Sequence, residues 1–184
     1  MLFSKRMLLG LAAMAALALC WPVAGARAGA YEIEADSRAA MERFFHDVPS
    51  SRELANKAAG ILVFPIVVKA GFGFGGEYGE GALFIGGRPA GFYNDVAGSF
   101  GFQFGAQARS IVIMFMTREA LDQFYNRDGW KGGVDGSVAV VTVGAGGTID
   151  TNSIHSPVVG FIYDQKGLMY NLTLEGSKIS RIYR

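Results

Sequence analysis

The stretch KAGFGFGGEYGEG, residues 69–81, decides how the chain is read. Gly71, Gly73 and Gly76 stand in the G-x-G-x-x-G spacing of a dinucleotide-binding turn, and Asp95 follows where a ribose-binding carboxylate would sit. Such a turn works only where its glycines lead a strand into a helix whose N-terminal amides face a pyrophosphate. Glu77-Tyr78-Gly79-Glu80-Gly81 is among the poorest helix-forming sequence in the chain. Phe72, Phe74 and Tyr78 instead alternate with Gly71, Gly73, Gly75 and Gly79, the period of a strand. One face then carries aromatics, and the other is bare and admits a close neighbour. Gly98, Gly101 and Gly105 with Phe100, Phe102 and Phe104 repeat the pattern. The glycines are read as devices of packing and curvature, and no nucleotide is expected.

Outward from this stretch, short apolar segments recur about every ten residues. They are Ile61–Val68 around Pro65, Ala82–Ile85, Ala90–Tyr93, Phe100–Gly105, Ser110–Met116, Ser137–Val143, Val158–Tyr163, Leu168–Leu174 and Lys178–Ile182. Gly86-Gly87, Asn94-Asp95 and Gly146-Gly147 are the turn signals between them, and Pro65 marks an edge or a bulge. The spacing predicts a curved or closed, barrel-like antiparallel sheet. Two helices precede it. Tyr31–Val48 has Ile33, Ala40, Met41, Phe44 and Val48 on one stripe and acidic residues opposite. Ser50-Ser51-Arg52-Glu53 reads as a capping box opening a second helix to about Ala59. A third helix, capped by Thr117, is inserted at Arg118–Asn126. The fold class is mainly β with α (α+β).

The first 30 residues read as a signal peptide. Lys5 and Arg6 precede the apolar run Met7–Leu19, and small residues offer cleavage after Ala26, Ala28 or Ala30. The run is shorter than the roughly 20 residues a spanning helix needs. Leu17–Cys20 resembles a lipobox, but Leu19 is larger than the small residue that motif takes, so export to the periplasm is expected and lipidation at Cys20 is the alternative. Residues 31–184 form one expected domain. Removing residues 1–30 takes away Lys5, Arg6 and Arg27 and no acidic residue, leaving 14 basic against 16 acidic. That balance excludes nucleic acid as a bulk partner, so any anion must meet a local cluster.

No catalytic constellation is legible. Ala97–Gly101 has the outline of a nucleophile elbow, but a strand follows Ser99, and neither His46 nor His155 adjoins a matching motif. Glu77, Glu80 and Asp95 read as solvated turn carboxylates. Two histidines and one cysteine leave little for a transition metal. The chain is expected to be no enzyme and to hold no cofactor.

Several stretches together resemble the SYLF domain: Ala59–Pro65, Lys69-Ala70-Gly71, Gly75-Gly76, Gly79-Glu80-Gly81, Ser99-Phe100-Gly101, Gly105-Ala106-Gln107, Trp130, Asp135–Ala139 and Glu175-Gly176. The resemblance runs from about Ala55 to the C-terminus. It implies a non-enzymatic lipid-binding module with a β-rich core, similar to eukaryotic adaptors that bind phosphoinositides or actin and to bacterial envelope proteins described as lipid-binding. Export and the lack of an SH3 segment weigh against carrying over phosphoinositides or actin. The expected partner is phospholipid or a membrane surface, with an envelope protein-interaction module as the alternative and the protein partner unknown. The candidate contacts are Phe72 and Phe74 on the aromatic alternation and a basic cluster of Lys69, Lys178 and Arg181.

Overall fold

The period of the sequence changes from helical to alternating at Gly60, and the longest elements begin there. The structure, a computed structural model, describes residues 29–143, 155–167 and 176–184. Strand β1 (Gly60–Ile85) and strand β2 (Arg88–Phe115) form one antiparallel ribbon, in register from Gly60↔Phe115 to Ile85↔Arg88. Gly86 and Gly87 close it with φ of +56° and +76°, the two successive left-handed residues that a tight hairpin turn demands. Bulges fall between Phe64 and Val67, at Pro65, and between Phe72 and Phe74. The sequence breaks this region into several strands; the observed strands run unbroken. Asn94-Asp95 is no turn, because both residues pair within the ribbon.

The ribbon curls back on itself. A Cβ at Gly79 would lie 2.7 Å from Val67 Cγ2 and 2.9 Å from the Ile66 carbonyl oxygen, and one at Gly81 would overlap the Val63 carbonyl oxygen. At the bend, a Cβ at Gly71 would lie 2.6 Å from the Gly75 Cα. The second half of β1 thus lies against the backbone of the first, a contact only glycine permits. The close approach expected from the sequence is present at Gly71 and Gly79, where the neighbour is the same strand, but at Gly98 and Gly105 of β2 a Cβ would meet nothing within 4 Å.

β2 also carries the rest of the sheet. Its C-terminal half pairs with β5 (Val158–Gly167) and its N-terminal part with β6 (Lys178–Ile182), both antiparallel. β3 (Trp130–Lys131) joins β6, and β4 (Val138–Thr142) joins β5 in parallel. The sheet is therefore mixed, which corrects the all-antiparallel expectation.

Helix α1 (Ala30–Asp47) covers one face. Ile33, Ser37, Ala40 and Phe44 recur on one stripe and are buried. Phe44 stacks at 5.1 Å on both Phe161 and Tyr163, while the Tyr163 hydroxyl donates to the Ala40 carbonyl at 2.6 Å. Burial pushes the Tyr163 phenol up to about 12. The helix is packed on its own domain rather than left free for a membrane interface. Helix α3 (Arg118–Tyr125), capped by Thr117 accepting from the Ala120 amide, covers the other face with Leu121 and Phe124, joined by Trp130 and Ile179. Helix α2 (Ser50–Lys57) starts one residue earlier than the capping box predicts. Pro49 is its N-cap, and Ser51 rather than Ser50 makes the local bond, donating to the Val48 carbonyl at 2.6 Å. The expected signal peptide, the Gly146-Gly147 turn and the Leu168–Leu174 strand lie outside the described residues.

Candidate functional site

Between its helix-covered ends the ribbon inverts the usual order of inside and outside. Side chains alternate along a strand, and cross-strand partners share a face. The outward face of β1 shows Ile66, Val68, Ala70, Phe74, Gly76 and Tyr78; Phe74 is 73% exposed and Ile66 60%. Their partners on β2 include Ala108, Ala106, Gly98 and Val96. No side chain charged at neutral pH stands among these residues. Soluble proteins scatter exposed apolar residues singly, so a run of this kind marks a contact surface.

Cations border the run at both ends. In one row Val68 pairs with Ala108, which pairs with Lys166. In another Tyr78 pairs with Val96, Val96 with Lys178, and Lys178 with Lys131. Beside the Pro65 bulge a cleft of about 350 Å3 is lined by Arg43 of α1, Pro65, Ile66, Ala108, Arg109, Ser110, Asp164 and Lys166. Ser110 donates to the Pro65 carbonyl at 2.7 Å and so holds the bulge open to one side. Asp164, at a positive φ of 50°, approaches Lys166 at 3.4 Å, an exposed pair worth little in water.

The inward face carries polar residues that burial would normally exclude. Glu77 and Arg109 meet at 2.5 Å, from opposite halves of the curled ribbon, with side chains only 4% and 2% exposed. Asp95 is buried beside them, hydrogen-bonded to Ser177 and to the Glu77 carboxyl. Desolvation first, and then the Glu77 charge, push its carboxyl up to about 7. Glu77 and Asp95 are therefore not the solvated turn acids expected from the sequence. Among the described residues no group of acids, histidines or cysteines could hold a metal ion.

The residues expected to bind lipid are dispersed. Phe74 lies on the exposed apolar face; Phe72 stands opposite Phe104 in the same ribbon, its side chain outside the description. Lys69 is half-buried and in register with the buried Gln107, so it belongs to the inner face. Lys178 borders the apolar face. Arg181 pairs with Tyr93 and lays its guanidinium over the Tyr125 ring at 5.0 Å. A hydrogen bond that the guanidinium donates to the Tyr125 hydroxyl raises its pKa further. The two residues do not form one patch, as their three-residue separation implied. Lys166 belongs to the basic C-terminal segment legible in the sequence, but its row with Ala108 and Val68, and that of Lys131 with Lys178, follow from register, and the place of Arg43 beside the Pro65 bulge from helix packing, none of which local sequence shows.

Residues 96–182 match a SYLF family model. Its description is Ysc84, Las17-binding protein actin regulator. The match runs from Val96 on β2 to Ile182 on β6 and agrees with the SYLF resemblance in the sequence. The matched segment includes the Lys166 and Lys178 borders of the apolar face, while β1 precedes it. No curated protein matches the chain.

Proposed function

We propose that the protein is a non-enzymatic lipid-binding module of the bacterial envelope, which lays the apolar face of its ribbon on an anionic phospholipid surface. The observation that carries this reading is the uncharged exposed face bounded by lysines at both ends. Apolar side chains gain about 25 cal/mol per Å2 removed from water. Each lysine near an anionic bilayer adds about 1 kcal/mol. Neither contribution requires a deep cavity. Residues 1–30 would direct the chain to the periplasm.

Vesicle flotation tests it. Phe74→Asp, on an exposed position, should leave stability within about 0.5 kcal/mol and weaken binding to both phosphatidylglycerol and phosphatidylcholine vesicles. Lys166→Ala with Lys178→Ala should weaken only phosphatidylglycerol binding, by roughly tenfold or more. Wild-type binding by both variants would remove the apolar face from consideration. A second reading, a protein-binding module, is favoured by the family description, which names a Las17-binding actin regulator. It predicts no vesicle binding by the wild type at all.

A further inference from the structure

We propose that Asp95, Glu77 and Arg109 form a proton-operated latch inside the curled ribbon, in which loss of the Asp95 proton sets two carboxylates against one guanidinium and loosens β6 from β2. The latch spans three pieces of chain. Glu77 comes from the second half of β1, Arg109 from the far half of β2, and Ser177 immediately precedes β6. The groups acting on Asp95 are the Glu77 carboxyl, the Ser177 hydroxyl and the Arg109 guanidinium. Asp95 Oδ1 is buried and finds no hydrogen-bond partner among the described residues. With a proton on Asp95 the cluster is one neutral acid beside one ion pair. Without it, an extra buried negative charge remains, held by a single hydroxyl and a guanidinium already engaged by Glu77.

The direction with pH follows. The carboxyl is pushed up from 3.8 to about 7 in the folded protein. Between those values the folded chain holds a proton that the unfolded chain has released. Stability from this group is greatest at the acid side and declines as pH rises toward and through 7. Asp95 pairs with Ile179 of β6 in the sheet, and its neighbour Val96 pairs with Lys178. Loosening β6 therefore breaks the Tyr78–Val96–Lys178 row. That consequence for lipid contact rests on the function proposed above; the latch itself does not.

The test uses the full chain carrying Trp21→Phe, so that Trp130, buried on β3 against β6, is the sole tryptophan. Between pH 5.5 and 8.5 the melting temperature should fall by about 4 °C or more beyond the fall seen in Asp95→Asn, with a red shift of Trp130 emission. Ser177→Ala removes a bond that favours the charged form, so the midpoint of the pH transition should move upward. An Asp95→Asn profile that parallels the wild type overturns the latch. If Asp95→Asn does not fold, Ser177→Ala decides alone: an unchanged or lowered midpoint rejects the proposal. Vesicle binding enters neither measurement, so the latch stands or falls apart from the lipid reading.

Discussion

The two faces of the β1–β2 ribbon are built from alternate residues of the same strands, yet they reverse the rule that apolar groups go inside. Glu77 and Asp95 are 5% and 1% exposed, while Phe74, Tyr78 and Val96 close by are 73%, 48% and 43% exposed. A register slip of one residue would turn the apolar set inward and the charged set out. The curl prevents that exchange. Its inner face has room only for glycine at Gly79 and Gly81, where the halves touch, and Glu77 and Arg109 on that face meet each other in an ion pair. Shape rather than hydrophobicity decides what is buried here, and the apolar face left outside is available for contact.

The largest break in this arrangement should come from Arg109→Leu. It leaves two acids buried without their cation, and removing one partner of such a pair costs about 3–5 kcal/mol. Urea unfolding should show the loss, smaller at pH 5.5 than at pH 8.5 because Asp95 then carries its proton. Next comes Gly81→Val, which would drive a branched side chain into the Val63 carbonyl. Overpacking of this kind costs about 1–3 kcal/mol, and a melting temperature equal to that of the wild type would show that the halves do not touch. The smallest effect sharpens the contrast between faces. Lys69→Ala, on the inner face, should change binding to anionic vesicles less than about twofold, whereas Lys166→Ala should weaken it about fivefold. Equal effects would mean that Lys69 reaches the surface.

Much of this was legible before any coordinates. Helices α1 and α3 follow from the spacing of Ile33, Ala40 and Phe44 and from Thr117, because caps and helical stripes are local. The Pro65 bulge follows from a residue that cannot donate to a ladder. The refusal of a helix after Gly76 follows from propensity alone. Other features depend on partners far along the chain. Asn94-Asp95 has turn composition, but the Glu77 and Ser177 contacts hold Asp95 inside a strand. The parallel β4–β5 pair joins segments whose pattern fits either direction. The inner cluster did leave a trace: Glu77, Asp95 and Arg109 occupy odd positions in a ribbon whose even positions from Ile66 to Tyr78 and Val96 to Ala108 are all apolar or glycine. Counting parity across both strands would have placed the three on one face.

The central place of β2 has a consequence for how the chain assembles. β1, β5 and β6 all pair with it, so the sheet is complete only once it is in place. The ribbon is expected to close first near Gly86-Gly87, where partners are three residues apart, and to zip toward Gly60↔Phe115, 55 residues apart. Each doubling of the loop to be closed adds only about 0.6 kcal/mol, which favours this order over joining distant segments from the start. β5 and β6 arrive after the ribbon exists. During that interval the ribbon shows its apolar face together with the β2 edge that β5 and β6 later cover, an open template for another chain. A newly made molecule is thus most prone to aggregate at an intermediate stage of its own folding, and a chaperone that shields β2 until the C-terminal strands are delivered would raise the yield of native protein.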